Sequence, residues 1–380
     1  MTAQVPPLIE ILAEIRDVRQ RQGKRHPLAG MLALAVTATM CGYERVGAIA
    51  EWGRNYGEEY QVELGFERHG YPAQVTWYRV FRDVPIESVE QKLGEWCEQV
   101  LQALTSEGER VGISLDGKTL RGSKKQGADK SHLLAAATHQ LGLVLRQIGV
   151  DDHTNEIGVV EAVLLPLVLE GRVVTADALL TQHKVAQTIV DRGGDYVLPV
   201  KQNQETTYHT LEYWFEGQPP RYLANRVAET IEKRHGRMTH WRIEVTAALN
   251  EYLAWPGLAQ SFKLTRRSVK QSTGALTEEV HFGITSLSPD EATPLNLLQF
   301  SRSHWSIENR LHWVRDVTFD EDRSQLRLGH AHQLMAAFRN LAIALLRLMG
   351  HTNIASATRY FAAQPNSALL LVLQPIPLRE

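Results

Sequence analysis

Cysteine is nearly absent from the 380-residue chain: Cys41 and Cys97 are its only two, and they form no CxxC pair. That excludes a disulfide framework and a cysteine zinc site, and leaves both as small core residues. Long hydrophobic runs are also lacking. The longest, LAGMLALAVTATMC at residues 28–41, falls short of the roughly 20 residues that span a bilayer. The amino terminus has no signal-peptide layout, so the expectation is a cytoplasmic protein with no membrane partner. Homopolymer tracts and internal repeats are missing, which with 43% hydrophobic and 22% charged residues excludes disordered and solenoid classes. The formal net charge of -2 lacks the excess of cations that phosphate contacts need. Lys and Arg nevertheless cluster in KTLRGSKK, IEKRHGRMTHWR and KLTRRSVK, so local positive surfaces can coexist with acidic regions.

The length suggests two or three domains at about 150 residues each. Residues 1–107 read as a helical amino-terminal domain, from the apolar spacing of Leu8, Ile11, Leu12 and Ile15 through YERVGAIAEWGRNY and TWYRVFRDV. A pair of helices joined by a glycine turn fits a helix-turn-helix DNA reader and an ordinary bundle equally well. From residue 108 the pattern changes to β-branched and apolar runs. RVGISLD, HLLAAATH and LVLRQIGV read as three consecutive strands, followed by helix, strand (RVVTAD), helix and strand (DYVLPV) up to 204. That is the order of an RNase H-like α/β core. Residues 205–290 read as a β-rich insertion of polar hairpins, and helical spacing returns in 291–380, in LNLLQFSRSHWSIENRLHWVRDV and HAHQLMAAFRNLAIALLRLM.

Asp116 and Asp177 each end a predicted strand, in ISLD and VVTAD, where open α/β sheets place their chemistry. On neighbouring strands two carboxylates repel unless a cation neutralises them, and hard oxygen ligands favour Mg²⁺ or Mn²⁺. Glu308 follows on a helical face with His304, Trp305, Leu311, His312 and Arg315, with Trp305 and Leu311 expected to anchor that face. Two metals could then activate a water or a 3′-hydroxyl for in-line phosphoryl displacement. Asp316, Glu321 and Asp322 compete with Glu308 for the third place. On an unbroken helix Asp316 would sit about 80° around and about 12 Å along from Glu308, so the two could not share one metal pair.

In order along the chain, SLDGKTLRGS, VVTADALLTQ, YVLPVKQNQ, HGR and HWSIENRLHWVRDVTFDED resemble the DDE transposases of the H-repeat-associated, ISAs-type insertion sequences. The resemblance implies an RNase H-like core, a mixed sheet with flanking helices, that carries Asp116, Asp177 and Glu308 as catalytic and metal-binding residues. It also implies a β-rich insertion between the second and third acids. The expected activity is Mg²⁺-dependent strand cleavage and transfer, Mn²⁺ substituting, at a two-metal site. Its partners would be double-stranded DNA, as terminal inverted repeats and target DNA, and a second copy of the chain on paired ends, in a nucleoid-associated setting. The wider group's Tyr, Arg, Glu, Lys signature is replaced here by Ser301, His304, Glu308 and Arg315.

Candidate DNA contacts are Lys118, Arg121, Lys124 and Lys125 after the first acid, Lys201 and Asn203 after DYVLPV, Arg234, His235 and Arg237 in a basic hairpin, and Arg315. His304 and His312, eight residues apart, are poor zinc co-ligands and suit surface or packing roles. A structure-specific nuclease on the same fold, or a host-adapted DNA-binding protein without transposition activity, are the alternatives.

Overall fold

The computed structural model describes residues 5–20, 24–123, 131–150, 156–217, 226–234, 236–327 and 329–376. Strands β1 (Val111–Thr119), β2 (His132–Thr138), β3 (Val144–Val150), β4 (Arg172–Ala176), β5 (Asp195–Val200), β6 (Arg226–Arg234), β7 (Arg237–Thr246), β8 (Gln260–Lys270) and β9 (Leu276–Thr285) hydrogen-bond in the order β3-β2-β1-β4-β5-β9-β8-β7-β6. The β2–β3 pair is an antiparallel hairpin, β1, β4 and β5 run parallel, and β5 through β9, β8 and β7 to β6 is antiparallel. The result is a mixed α/β fold with the RNase H-like order in its first five strands. Its helices are α1 (Leu8–Ala13), α2 (Leu28–Met40), α3 (Val46–Tyr56), α4 (Gln74–Asp83), α5 (Ile86–Leu104), α6 (Glu156–Leu164), α7 (His183–Asp191), α8 (Glu205–Gly217), α9 (Pro294–Ser303), α10 (Trp313–Val317), α11 (Ala331–Leu348), α12 (Ile354–Ala363) and α13 (Pro365–Leu373).

Two units divide the chain. One comprises Met1–Glu107, Gly117–Asn155 and Ile307–Glu380, the other Gly108–Asp116 and Glu156–Ser306. In the first, α2 is apolar on every side because it is enclosed by α1, α11 and α13. The 28–41 run is therefore a core helix, and among the described residues no helix is long and apolar enough to cross a membrane. Helix α5 lies directly on β3: a Cβ on Gly94 would stand 2.2 Å from the Leu145 carbonyl oxygen, so this position needs glycine for the helix to approach. In the second unit, Val173, Val197, Ile243, Phe262, Leu297 and Leu298 form one core between the sheet and α9.

Two stretches differ from the sequence reading. The segment from 205 opens with helix α8, because Thr207, Leu211 and Phe215 recur every four residues and are buried together. The expected single helix through SRSHWSIENRLHWVRD is broken: α9 ends at Ser303, and Glu308–His312 forms a π-helical turn ahead of α10. Ideal α-helical rotation between Glu308 and Asp316 does not hold across that turn. Trp305 is 61% exposed and so is not the buried anchor expected of it, whereas Leu311 is fully buried.

A buried polar chain runs through the first unit. Gln333 and Gln147 each donate an amide hydrogen to Glu90 of α5, at 2.9 and 2.7 Å, and Asn340 donates to Gln147 at 2.9 Å. Burial pushes the Glu90 carboxyl up to about 7 from 4.5, against the pull of those two donors. A carboxyl with a raised folded pKa stabilises below its unfolded value and loses that contribution as pH rises through the folded one. Unfolding free energy should therefore fall by about 3 kcal/mol between about pH 4.5 and 8, at 1.36 kcal/mol per pKa unit. Urea titrations across that window should show a shallower decline in Glu90→Gln, and an unchanged decline would clear Glu90 of the effect.

Candidate active site

The site begins with a register. Strands β1 and β4 pair in parallel, with Leu115 opposite Ala176, so the next residues, Asp116 and Asp177, stand side by side where the ladder ends, Asp177 just past β4 and Asp116 inside β1, which continues to Thr119. Residues 111–115 of β1 and all of β4 are buried, which fixes both strands in the core and leaves the two half-buried acids at its edge. One oxygen of Asp177 accepts the Leu180 amide at 2.9 Å, holding the turn that leads toward α7.

Behind the acids, His304 is stitched to both strands. The Ser114 hydroxyl of β1 donates to the His304 carbonyl at 3.2 Å, and His304 Nδ1 lies 3.2 Å from the Thr175 hydroxyl of β4. That hydroxyl also lies 3.3 Å from the Ile113 carbonyl, which can only accept. With its one hydrogen given to Ile113, Thr175 accepts from Nδ1–H and the other ring nitrogen keeps its lone pair. Burial holds the imidazole below its usual range, although the Asp116 and Asp177 carboxylates pull the other way. A neutral ring is thus placed beside two like charges without neutralising them. The surface or packing role expected for His304 misses this contact. Its place in the signature, four residues before Glu308, was the available signal.

Glu308 opens the π-helical turn on the exposed side, with the Nδ1 of buried His312 at 3.3 Å from its carboxylate. Asp316 does not pair with Arg315 or Arg323. It receives two hydrogen bonds from Lys118 at 2.6 and 2.8 Å.

The amino-acid pattern and this geometry can now be set beside known proteins. A family profile described as "Transposase DDE domain" matches residues 107–345, and one described as "DDE_Tnp_1-associated" matches residues 9–97. The chain belongs to the DDE transposase family. It is 30% identical over 353 residues to "Putative transposase YncI" of Escherichia coli, covering 90% of this chain and 88% of that one. It is 28% identical over 358 residues to "H repeat-associated putative transposase YhhI" of the same species, covering 90% and 91%. A piggyBac transposase synaptic complex with hairpin DNA overlays at a TM-score of 0.44 and 9% identity, over 96% of this chain and 78% of that one.

Several cations expected to meet DNA in this transposase have other partners. Lys118 is 9% exposed and committed to Asp316. Arg315 is 1% exposed and bonds Glu321 and Asn340, so it is removed from any surface a phosphate could reach. The Asn203 amide donates to the Ala178 carbonyl at 2.6 Å and supports the turn after Asp177. Arg121 is 71% exposed, with a loose 3.6 Å pair to Asp322, and Lys201 and Arg237 are exposed. Arg234 is 77% exposed, 3.8 Å from Glu232. Lys124, Lys125 and His235 lie outside the described residues. Lys201 also borders an open groove of about 700 Å³ beside Asp177, shared with Tyr208 and His281.

Glu321 lies between two guanidiniums, 2.7 Å from Arg315 and 3.0 Å from Arg339, and all three are at most 3% exposed. Burial acts to raise its carboxyl, but the two arginines outweigh it and hold it below the usual range. Removing one member of such a cluster strands the remaining buried charge. Glu321→Gln should cost roughly 3–5 kcal/mol in urea unfolding. A loss under about 1 kcal/mol, the size of an exposed pair, would mean the arginines find water instead.

Proposed function

We propose that this protein is an insertion-sequence transposase that cleaves DNA strands at the ends of its element and joins them to target DNA. Asp116, Asp177 and Glu308 are assigned as the catalytic carboxylates, and together they hold Mg²⁺, with Mn²⁺ able to replace it. The observation that carries the reading is the Asp116–Asp177 pair on adjacent parallel strands, at the end of the β1–β4 ladder. The donor set fits the metal: carboxylate oxygens suit hard cations, and two adjacent like charges are stabilised by a cation held between them. A bound divalent pair supplies activation of a water or 3′-hydroxyl and stabilisation of the leaving oxygen.

The chain's own residues do the positioning. Ser114 and Thr175 fix His304 against β1 and β4, which keeps the two aspartates at a set separation. Arg121, Lys201, Arg234 and Arg237 take backbone phosphates of double-stranded DNA, the terminal repeats first and the target afterwards. Two copies act together, one on each end, because paired ends need paired active sites.

Asp116→Asn and Asp177→Asn should each abolish cleavage and strand transfer of a 3′-labelled end while DNA binding and thermal stability persist. Excess EDTA should do the same to the wild-type chain. Strand transfer surviving either change would end the metal reading, and cleavage without joining would favour a nuclease. Asp316→Asn should keep the metal requirement, since that carboxylate is occupied by Lys118. Iron-dependent backbone cleavage in peroxide provides the check: cuts beside residues 116, 177 and 308 support Glu308, while cuts near 316 that survive Glu308→Gln assign the third ligand to Asp316.

A further inference from the structure

We infer that a groove between the associated-domain helices and the 320–327 loop grips the phosphodiester backbone of double-stranded DNA through Arg45, Arg323 and Arg327. The inference rests on the DNA-transposase reading and assigns a role to residues that none of the catalytic arguments use. The groove holds about 290 Å³ and is lined from one side by Glu44, Arg45 and Tyr78 and from the other by Asp320, Arg323 and Arg327. Both walls belong to one unit of the chain.

Three features favour an anionic ligand. The arginines are exposed, and among the described residues Arg45 and Arg327 are in no ion pair. Arg323 is 84% exposed and only 3.6 Å from Asp320, a surface pairing of at most about 1 kcal/mol that a phosphate can displace. Arg45 is the N-cap of the eleven-residue helix α3 and no side chain caps that end, so the first amides add positive potential beside its guanidinium.

The loop wall is held in place. A Cβ on Gly329 would meet the Arg82 carbonyl oxygen at 2.4 Å, so the chain after the loop passes directly over the end of α4, which carries Tyr78. Asp320 is the one non-glycine residue with positive φ among those described, at 44°. Strain of this kind persists where surrounding structure over-determines it, and it collects at ligand-binding positions. Opposite it, burial pushes the half-buried Glu44 carboxyl up to about 7, so the groove carries less negative charge near neutrality than its two acids suggest. Tyr78 adds an aromatic wall against which a backbone sugar can pack.

The test is fluorescence anisotropy of the full chain with a labelled duplex of mixed sequence, titrated over a range of salt. Each of Arg45→Gln, Arg323→Gln and Arg327→Gln should weaken binding severalfold and reduce the slope of log K against log salt by roughly 0.9. The triple variant should lose close to three such steps, while Arg323→Lys restores the slope and Arg359→Gln, outside the groove, leaves it unchanged. All these side chains are exposed, so unaltered melting curves should accompany the loss. Unchanged slopes in the groove variants, with the wild-type chain binding normally, would overturn the groove and leave the transposase reading standing. A wild-type chain that binds no duplex at all would fail both.

Discussion

The parallel pairing of β1 with β4 is the constraint on which the rest of the second unit depends. One residue of slip would place Asp116 beside Ala176 or Ala178 rather than Asp177 and turn every side chain of one strand to the other face. Burial enforces the register, because Ile113, Leu115, Val173, Val174 and Ala176 are all at most 1% exposed. The polar groups between them enforce it again: Ser114 and Thr175 stand opposite each other in the ladder and both bond to His304. Packing and hydrogen bonding therefore specify the same separation between the two acids, which preorganises a site whose like charges would otherwise drive it apart.

In the first unit the corresponding device is ionic. Glu321, Arg315 and Arg339 are expensive to bury, and a well-packed apolar cluster would serve stability as well or better. What the charges add is direction. Arg315 on α10 is tied to Glu321 in the turn that follows that helix and to Asn340 on α11, and Asn340 continues through Gln147 on β3 to Glu90 on α5. Five separate segments thus share one chain of donors and acceptors, each with a defined geometry. That chain fixes the helix immediately after the π-turn bearing Glu308 with a specificity that interchangeable apolar contacts would not provide.

The alternation of short β-branched runs with helices made the RNase H-like order legible, since buried strands and amphipathic helices have distinct periods. The position of Asp177 just past β4 was legible for the same reason, while Asp116, expected to end its strand, lies inside β1, which continues to Thr119. The π-turn was not. The spacing of Leu311, Val314 and Arg315 suits a continuous helix, and a wider turn at 308–312 leaves no mark in hydrophobic periodicity. Trp305 misled through its size: an aromatic residue reads as an anchor, yet the break after Ser303 turns it to solvent. His304 was given a surface or packing role because it and His312, eight residues apart, are poor zinc co-ligands, and only the strand pairing brings Ser114 and Thr175 to it.

Cations posed the hardest reading, because sequence records their charge without recording which anion meets it. KLTRRSVK and IEKRHGRMTHWR look like phosphate-binding stretches, but the antiparallel register places Arg266 opposite Glu279, Arg267 opposite Glu278, and Arg242 opposite Glu229. Each of these cross-strand neighbours forms an ion pair. Arg302 and Arg266 further stack over Trp241, 4.9 and 5.3 Å from the ring centre, so their guanidinium faces are also occupied. Much of the positive charge in the insertion is thereby spent on holding its own strands together, consistent with a net charge of only -2 for the whole chain. The exposed arginines and lysines that keep no carboxylate, or only a loose one, cannot be distinguished in the sequence from their paired neighbours, because the pairing exists only once the strands are aligned.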